Sequence, residues 1–376
     1  MVLVITIDTE EDNWGGYTDR SYSLENLKCI HDLQALFDRY GVRPTYLINY
    51  PVATDPMAIE LFSDLLDRGR CEVGMHCHPW NTPPFEESLC SYNSMLCNLP
   101  EQLQFRKLET LRNAICDNLG IAPASFRAGR WAFGSATARS IQRLGLRIDT
   151  SVTSYTSWAD SNGVDYSRVP PHPYRFSSRD IFLSDDSGEL LQFPASVGFL
   201  QHDFEICRRA HELLKKPPLR KMRLCGILDR LRLLNKVALS PETATGPMMV
   251  KLAERFRALL IGYLNLFFHS NTLVKGLSPF NKRDGDTERF FQSLEQFLRY
   301  ARDTGIECCT LKEVRLGDFC PCGREQQECR GAARLLLNGT RSGIFDADSA
   351  AVRAARGGGA GEGSPAPWDL PRRGGR

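Results

Sequence analysis

Short apolar runs alternate with longer amphipathic stretches through the first two-thirds of this chain. That rhythm confines it to βα units built around a parallel sheet, because each run is too short for a helix and each intervening stretch carries the helical period. Residues 2–7 predict the first strand. Residues 23–40 predict a helix capped by Ser23, with Leu24, Leu27, Ile30, Leu33, Leu36 and Phe37 at helical spacing and Gly41 as its stop. Strands at 44–49 and 71–75 follow, with a helix at 58–67 between them. A long loop then opens at Asn81-Thr82-Pro83-Pro84, which the βα rhythm does not require. Loops at the C-terminal ends of strands are where α/β folds place their chemistry.

A helix at 101–119, a strand at Ser125 and Phe126, a helix at 136–144 and a strand at 147–149 continue the series. Residues 155–190, rich in Ser, Asp and Pro, predict loop with one hairpin, and 190–199 resume as an extended apolar run. Residues 202–234 predict basic amphipathic helices, an insertion whose charge run is expected to be a solvated face. A helix at 248–261, a strand at 264–268 that delivers His269, a helix at 288–302 and a strand at 307–310 complete the domain. After about residue 317 the composition turns to Gly, Ala, Arg and Pro, which cannot bury a core. The expected organisation is therefore one domain over 1–316 and a largely disordered tail over 317–376, with a short helix at 332–337.

The net charge of +2 gives no electrostatic case for nucleic acid or an anionic membrane as the main partner, although the tail's arginines and glycines leave that alternative on the page. Cys320, Cys322 and Cys329 lack the paired spacing of a zinc finger. Thirteen cysteines at irregular spacing, with no secretory leader before the first strand, point to reduced thiols and a cytoplasmic protein, and no apolar run is long enough to span a bilayer.

The chemistry-bearing residues cluster at the ends of these strands. His76 and His78, one residue apart after the run Glu72-Val73-Gly74-Met75, project from one face of an extended chain and make half a metal site. A carboxylate from another strand would complete a three-ligand set with positions left open for water and substrate. Asp8-Thr9-Glu10-Glu11-Asp12, Arg127 with its Gly and Trp neighbours, and His269-Ser270 fall at corresponding strand ends. Carboxylates, imidazoles and a guanidinium meeting at one rim describe a hydrolytic metal site.

These segments resemble the polysaccharide deacetylase family, of the NodB-homology or carbohydrate esterase family 4 type. Ile5-Thr6-Ile7-Asp8-Thr9-Glu10 looks like its first motif, Glu72 to His76 with His78-Pro79 like its second, and Phe126-Arg127-Ala128-Gly129-Arg130-Trp131 like its arginine-bearing third. Leu266-Phe267-Phe268-His269-Ser270 is similar to its last histidine motif. One residue separates the histidines where three are usual, and the first-motif acids are not adjacent. The pairing of His-x-His-Pro-Trp with Asp-Thr-Glu looks like a subgroup associated with lipopolysaccharide and surface-polysaccharide biosynthesis.

The resemblance implies an irregular (β/α)7 barrel that removes N- or O-acetyl groups from sugars with one divalent metal ion: zinc, or else cobalt, nickel or iron. The implied partner is an acetylated saccharide; the expected cytoplasmic setting favours one that is lipid- or nucleotide-linked, and the charge balance favours no nucleic acid. His76, His78 and Glu10 are the expected ligands, with Glu11 and Asp12 as alternatives to Glu10. Asp8 is the expected general base, held by Arg127 unless that residue pairs with Asp149 instead, and His269 the general acid unless it is a core histidine. Trp80, Arg130 and Trp131, with Phe133, are the expected substrate contacts, and a backbone amide after the arginine motif or near Pro79 the expected oxyanion donor.

Overall fold

The computed structural model describes residues 1–319 except 13, 18–21, 217, 218 and 220–223. Expectations for residues 320–376, including the helix at 332–337, lie outside the described residues. The sheet is built on β1 (Val2–Thr9), β2 (Thr45–Ile48), β3 (Glu72–Cys77), β4 (Ser125–Ala128) and β5 (Ile148–Asp149). They pair in parallel and in that order. The strand Leu190–Gln192 adds in parallel beyond β5, and Tyr263–His269 adds in parallel on the other side of β1. The outer members meet through Ser196, whose amide donates to the Asn265 carbonyl at 3.2 Å and whose hydroxyl accepts from the Asn265 amide at 2.8 Å. Seven parallel strands thus close into an irregular (β/α)7 barrel.

The period of two along β1 sets the interior. Leu3, Ile5 and Ile7 face the helix layer, where Leu27, Leu33 and Phe37 bury them. Val2 and Val4 face the barrel axis and pack with Ile148, Phe193 and Tyr263 into an apolar plug. Thr6 comes next on that inner face and Asp8 follows at the rim. The barrel therefore passes from apolar base to polar mouth within one strand.

The helices differ from expectation at their ends. The expected helix over 23–40 splits into a 3-10 turn, Glu25–Cys29, and an α-helix, Ile30–Arg39. Ser23 does not cap it. Its hydroxyl donates to Asp12, and the Asp12 carboxylate itself accepts the amides of Glu25 at 2.6 Å and Asn26 at 3.2 Å. A short helix at Tyr50–Thr54, opened by an Asn49 side-chain cap and Pro51, was not evident in the sequence. Residues 155–190 contain two small antiparallel pairs rather than one: Thr156–Ser157 with Asp165–Tyr166, and Tyr174–Ser177 with Asp180–Ser184.

Candidate metal centre and acid–base pair

The barrel closure brings four strand ends together. Register places Asp8 beside His269 and His76 beside Arg127. Glu10 follows β1 directly, and its Oε2 lies 3.2 Å from His76 Nε2 and 3.1 Å from His78 Nε2, with the two imidazole nitrogens 3.0 Å apart. Among the described residues this is the one cluster of at least three His, Cys, Asp or Glu side chains whose donor atoms all fall within 4.8 Å. All three residues are buried.

The outer nitrogen of each imidazole is already engaged. His76 Nδ1 lies 3.1 Å from the Arg127 carbonyl, and His78 Nδ1 lies 3.3 Å from Glu11 Oε1. A proton on each outer nitrogen leaves both Nε2 lone pairs aimed at one point, beside a carboxylate oxygen. Two lone pairs and an anionic oxygen crowded together in a buried site fit a divalent cation. Burial alone would lower the His78 imidazole, but the facing Glu11 and Glu10 carboxylates outweigh it and lift it to about 10. Burial alone would raise the Glu10 carboxyl, but His78 and His76 outweigh it and hold it well below the usual carboxylate range.

Glu11 and Asp12, the alternatives to Glu10, sit elsewhere. Asp12 faces away and caps the first 3-10 turn. Glu11 stands one step behind the cluster, where its carboxylate accepts from Asn49 and from the Trp80 indole, the latter at 3.0 Å. Asn271 donates to the second Glu10 oxygen at 3.1 Å.

Arg127 pairs with Asp8 rather than Asp149. Its Nη1 donates to Asp8 Oδ1 at 2.6 Å, while Nη2 donates to the Thr6 hydroxyl at 2.6 Å and Nε to the Thr150 carbonyl at 3.0 Å. Asp149 instead accepts from the Ser151 amide and hydroxyl. Burial pushes its carboxyl up to about 7. The Ser151 hydroxyl in turn accepts the Ala128 amide at 2.8 Å, which takes up the first amide after the arginine.

His269 Nε2 faces Asp8 Oδ2 at 3.6 Å. Its Nδ1 lies 3.1 Å from Glu242 Oε1, and its backbone amide donates to the same oxygen at 3.0 Å. Burial alone would lower this imidazole; the Glu242 carboxylate outweighs it, and His269 is lifted to about 9. Glu242 escaped the sequence reading because it sits in an irregular turn beyond the insertion, with no periodicity to mark it.

The aromatic residues divide differently from expectation. Trp80 is 6% exposed and stacks on His78, with ring centroids 4.1 Å apart. Trp131 is 5% exposed and lies over the Arg127 guanidinium at 4.8 Å. Phe133 is wholly buried. Arg130 adopts a left-handed backbone, bonds to Ser94 and lies 5.4 Å over the half-buried Tyr17 ring. The exposed aromatic at the rim is Trp14, 39% exposed, with its ring edge-on to His269 at 4.6 Å and to Phe280 at 5.6 Å. Its one sequence signal is its place just beyond the acids of the first motif.

No protein-family model and no curated protein matches the sequence. Solved structures do resemble the fold. A protein assigned as a glycoside hydrolase/deacetylase from Parabacteroides distasonis aligns over 85% of this chain and 70% of its own, with a TM-score of 0.51 at 9% identity. A protein assigned as a polysaccharide deacetylase from Mycobacterium smegmatis aligns over 84% of this chain and 94% of its own, with a TM-score of 0.43 at 14% identity. A family 4 acetyl xylan esterase from Clostridium thermocellum aligns over 83% and 89%, with a TM-score of 0.39 at 10% identity. At 9% identity the likeness to the first of these is one of fold alone, an irregular (β/α)7 barrel.

Proposed function

We propose that this protein is a metal-dependent hydrolase that removes an acetyl group from a saccharide. The observation that carries the reading is the convergence of Glu10, His76 and His78 beside two facing pairs, Asp8 with Arg127 and His269 with Glu242. Glu10, His76 and His78 would hold one divalent ion, zinc by its two-imidazole, one-carboxylate donor set, which when bound supplies Lewis acidity toward the acyl oxygen. Asp8, with Oδ1 gripped by Arg127, takes a proton from the attacking water at Oδ2. His269 gives its Nε2 proton to the departing group as the acyl C–N bond breaks, leaving acetate and a free amine. An amine must be protonated to leave, so an imidazole lifted to about 9 favours N-acetyl over O-acetyl substrates. Trp14 and Phe280 flank His269 where a sugar ring would stack.

The substrate is proposed to be a lipid- or nucleotide-linked intermediate of lipopolysaccharide or other surface-polysaccharide synthesis, handled in the cytoplasm. Two observations support this setting. The His76-Cys77-His78-Pro79-Trp80 and Asp8-Thr9-Glu10 segments resemble that subgroup, and no disulfide joins any of the ten described cysteines.

The test is to strip the purified protein with a chelator, reload it with zinc, and measure acetate released from N-acetylated chitooligosaccharides. Release that needs zinc and is lost in His76→Ala and Asp8→Asn is expected. A protein that retains no divalent ion, and whose His76→Ala form binds glycan like wild type, would be a non-catalytic carbohydrate-binding protein on the same barrel.

A further inference from the structure

The insertion between Leu200 and Asn235 is surface that the proposed chemistry leaves unused. It comprises the helix Phe204–Lys215 and the shorter helix Leu224–Arg230, packed on one another and anchored by the buried Phe204 and Cys207. The solvated polar face expected of it is apolar in part. Ile206 is 65% exposed and Leu213 56%, seven residues apart and so on one helical face. Beyond the second helix, Leu231 and Leu233 are each 62% exposed. Exposed Arg209, Arg230 and Arg232 are interleaved with them.

Charge is concentrated in the same place. Residues 202–236 carry ten Lys and Arg against four Asp and Glu, so in a chain of net charge +2 everything outside the insertion is net negative. The whole-chain balance therefore conceals a basic segment, whose Arg230 and Arg232 are exposed, whereas Lys236 turns inward to the Tyr155 carbonyl and the Thr156 hydroxyl. The acids within the segment are spent locally: Glu205 pairs with Arg208 and Arg209, Glu212 with Arg208, Asp203 caps the first helix, and Asp229 accepts from Asn235. Exposed aromatic anchors, typical of protein–protein interfaces, are missing, since the only Phe, Tyr or Trp in 202–236 is the buried Phe204.

We propose that this surface docks the protein on an anionic lipid bilayer. The Ile206, Leu213, Leu231 and Leu233 side chains enter the boundary between headgroups and acyl chains, and the exposed Arg230 and Arg232 reach lipid phosphates. The insertion leaves through the strand Lys236–Ala238 and leads within a few residues to Glu242, so the docking helices and the residue that holds His269 belong to one stretch of chain. Docking stands whether or not the site turns over an acetylated sugar.

The full-length protein is sedimented with phosphatidylcholine vesicles containing about one third phosphatidylglycerol, and with phosphatidylcholine alone. Pelleting with the anionic vesicles is expected to be at least about tenfold stronger, and to weaken as salt is raised. It should fall about tenfold in Ile206→Ser/Leu213→Ser/Leu231→Ser/Leu233→Ser and again in Arg230→Glu/Arg232→Glu. All six positions are exposed, so both variants should keep the wild-type circular dichroism and thermal transition. The C-terminal arginines are unchanged in both, so undiminished binding by the variants would overturn the proposal. So would a wild-type protein that ignores anionic vesicles, or lipid-free self-association that the apolar variant removes, which would make this face an interface between copies.

Discussion

Asp8 and His269 lie in register on adjacent strands, with carboxylate and imidazole 3.6 Å apart, and each is gripped from behind by a partner of opposite charge. Arg127 holds Asp8 at 2.6 Å and Glu242 holds His269 at 3.1 Å. The arrangement sets a proton acceptor against a proton donor across a few ångströms. It also assigns each supporting residue a separate, measurable consequence.

His269 is lifted to about 9, so it keeps its proton through the neutral range and loses it as pH rises through that value. Activity that needs this proton should fall on the alkaline side near pH 9. Glu242→Gln removes the principal group lifting the imidazole and leaves burial to act, so the alkaline limb should move down by at least about one pH unit. The same shift contributes stability that is complete below the ordinary imidazole value of 6.5 and disappears as pH rises through about 9. Glu242→Gln should therefore cost more thermal stability at pH 6 than at pH 10. An alkaline limb that stays in place in the pH–rate profile would rule out this role for Glu242.

Arg127 is wholly buried and Asp8 nearly so. Removing one partner strands the other charge, and a buried pair broken in this way costs about 3–5 kcal/mol. Arg127→Met should lose stability of that order, and Arg127→Met/Asp8→Asn should recover part of it because the stranded charge is gone. Urea unfolding of the four proteins of the cycle measures the coupling. Additive losses would mean that the two residues do not act as a pair.

Gly129 has no side chain where His78 needs room. A Cβ there would lie 2.3 Å from His78 Cδ2 and 2.7 Å from the Cys77 carbonyl oxygen, and the backbone contact cannot yield as a flexible side chain can. Gly129→Ala should therefore turn the His78 ring and weaken zinc binding by about 10–100-fold, the range seen when ligand orientation is disturbed. Chelator competition against wild type measures this. Unchanged affinity would show that His78 has slack the packing does not suggest.

The succession of strands along the chain and the placing of Asp8, Glu10, His76, His78, Arg127 and His269 at their ends were legible because each depends on local periodicity. Alternating residues on a strand share a face, and strands of a parallel barrel end at one rim. The supporting residues were not legible for the complementary reason. Glu11 and Asp12 follow Glu10 directly, yet one turns toward His78 and the other caps a turn, because β1 has ended and the period of two no longer governs them. Glu242 reaches His269 only through the tertiary fold. Net charge, an average over the chain, does not say where the cations lie, and ten of the Lys and Arg fall within residues 202–236.

Tryptophan type alone did not distinguish a sugar platform from a buried support, and exposure now separates Trp14 from Trp80. Trp14 is 39% exposed beside His269, whereas Trp80 is 6% exposed and bonds to Glu11 behind His78. Trp14→Ala should raise KM by about 2–10-fold, the worth of one aromatic stacking contact, with kcat and zinc affinity little changed. Trp80→Phe keeps a ring against His78 but deletes the 3.0 Å indole hydrogen bond to Glu11. It should cost about 1 kcal/mol of stability and lower zinc affinity, while KM stays near wild type. Steady-state kinetics on N-acetylated oligosaccharide, run beside zinc titrations of both variants, separates the two roles. The opposite pattern, with KM moving in Trp80→Phe and zinc affinity in Trp14→Ala, would reverse the assignment of platform and support.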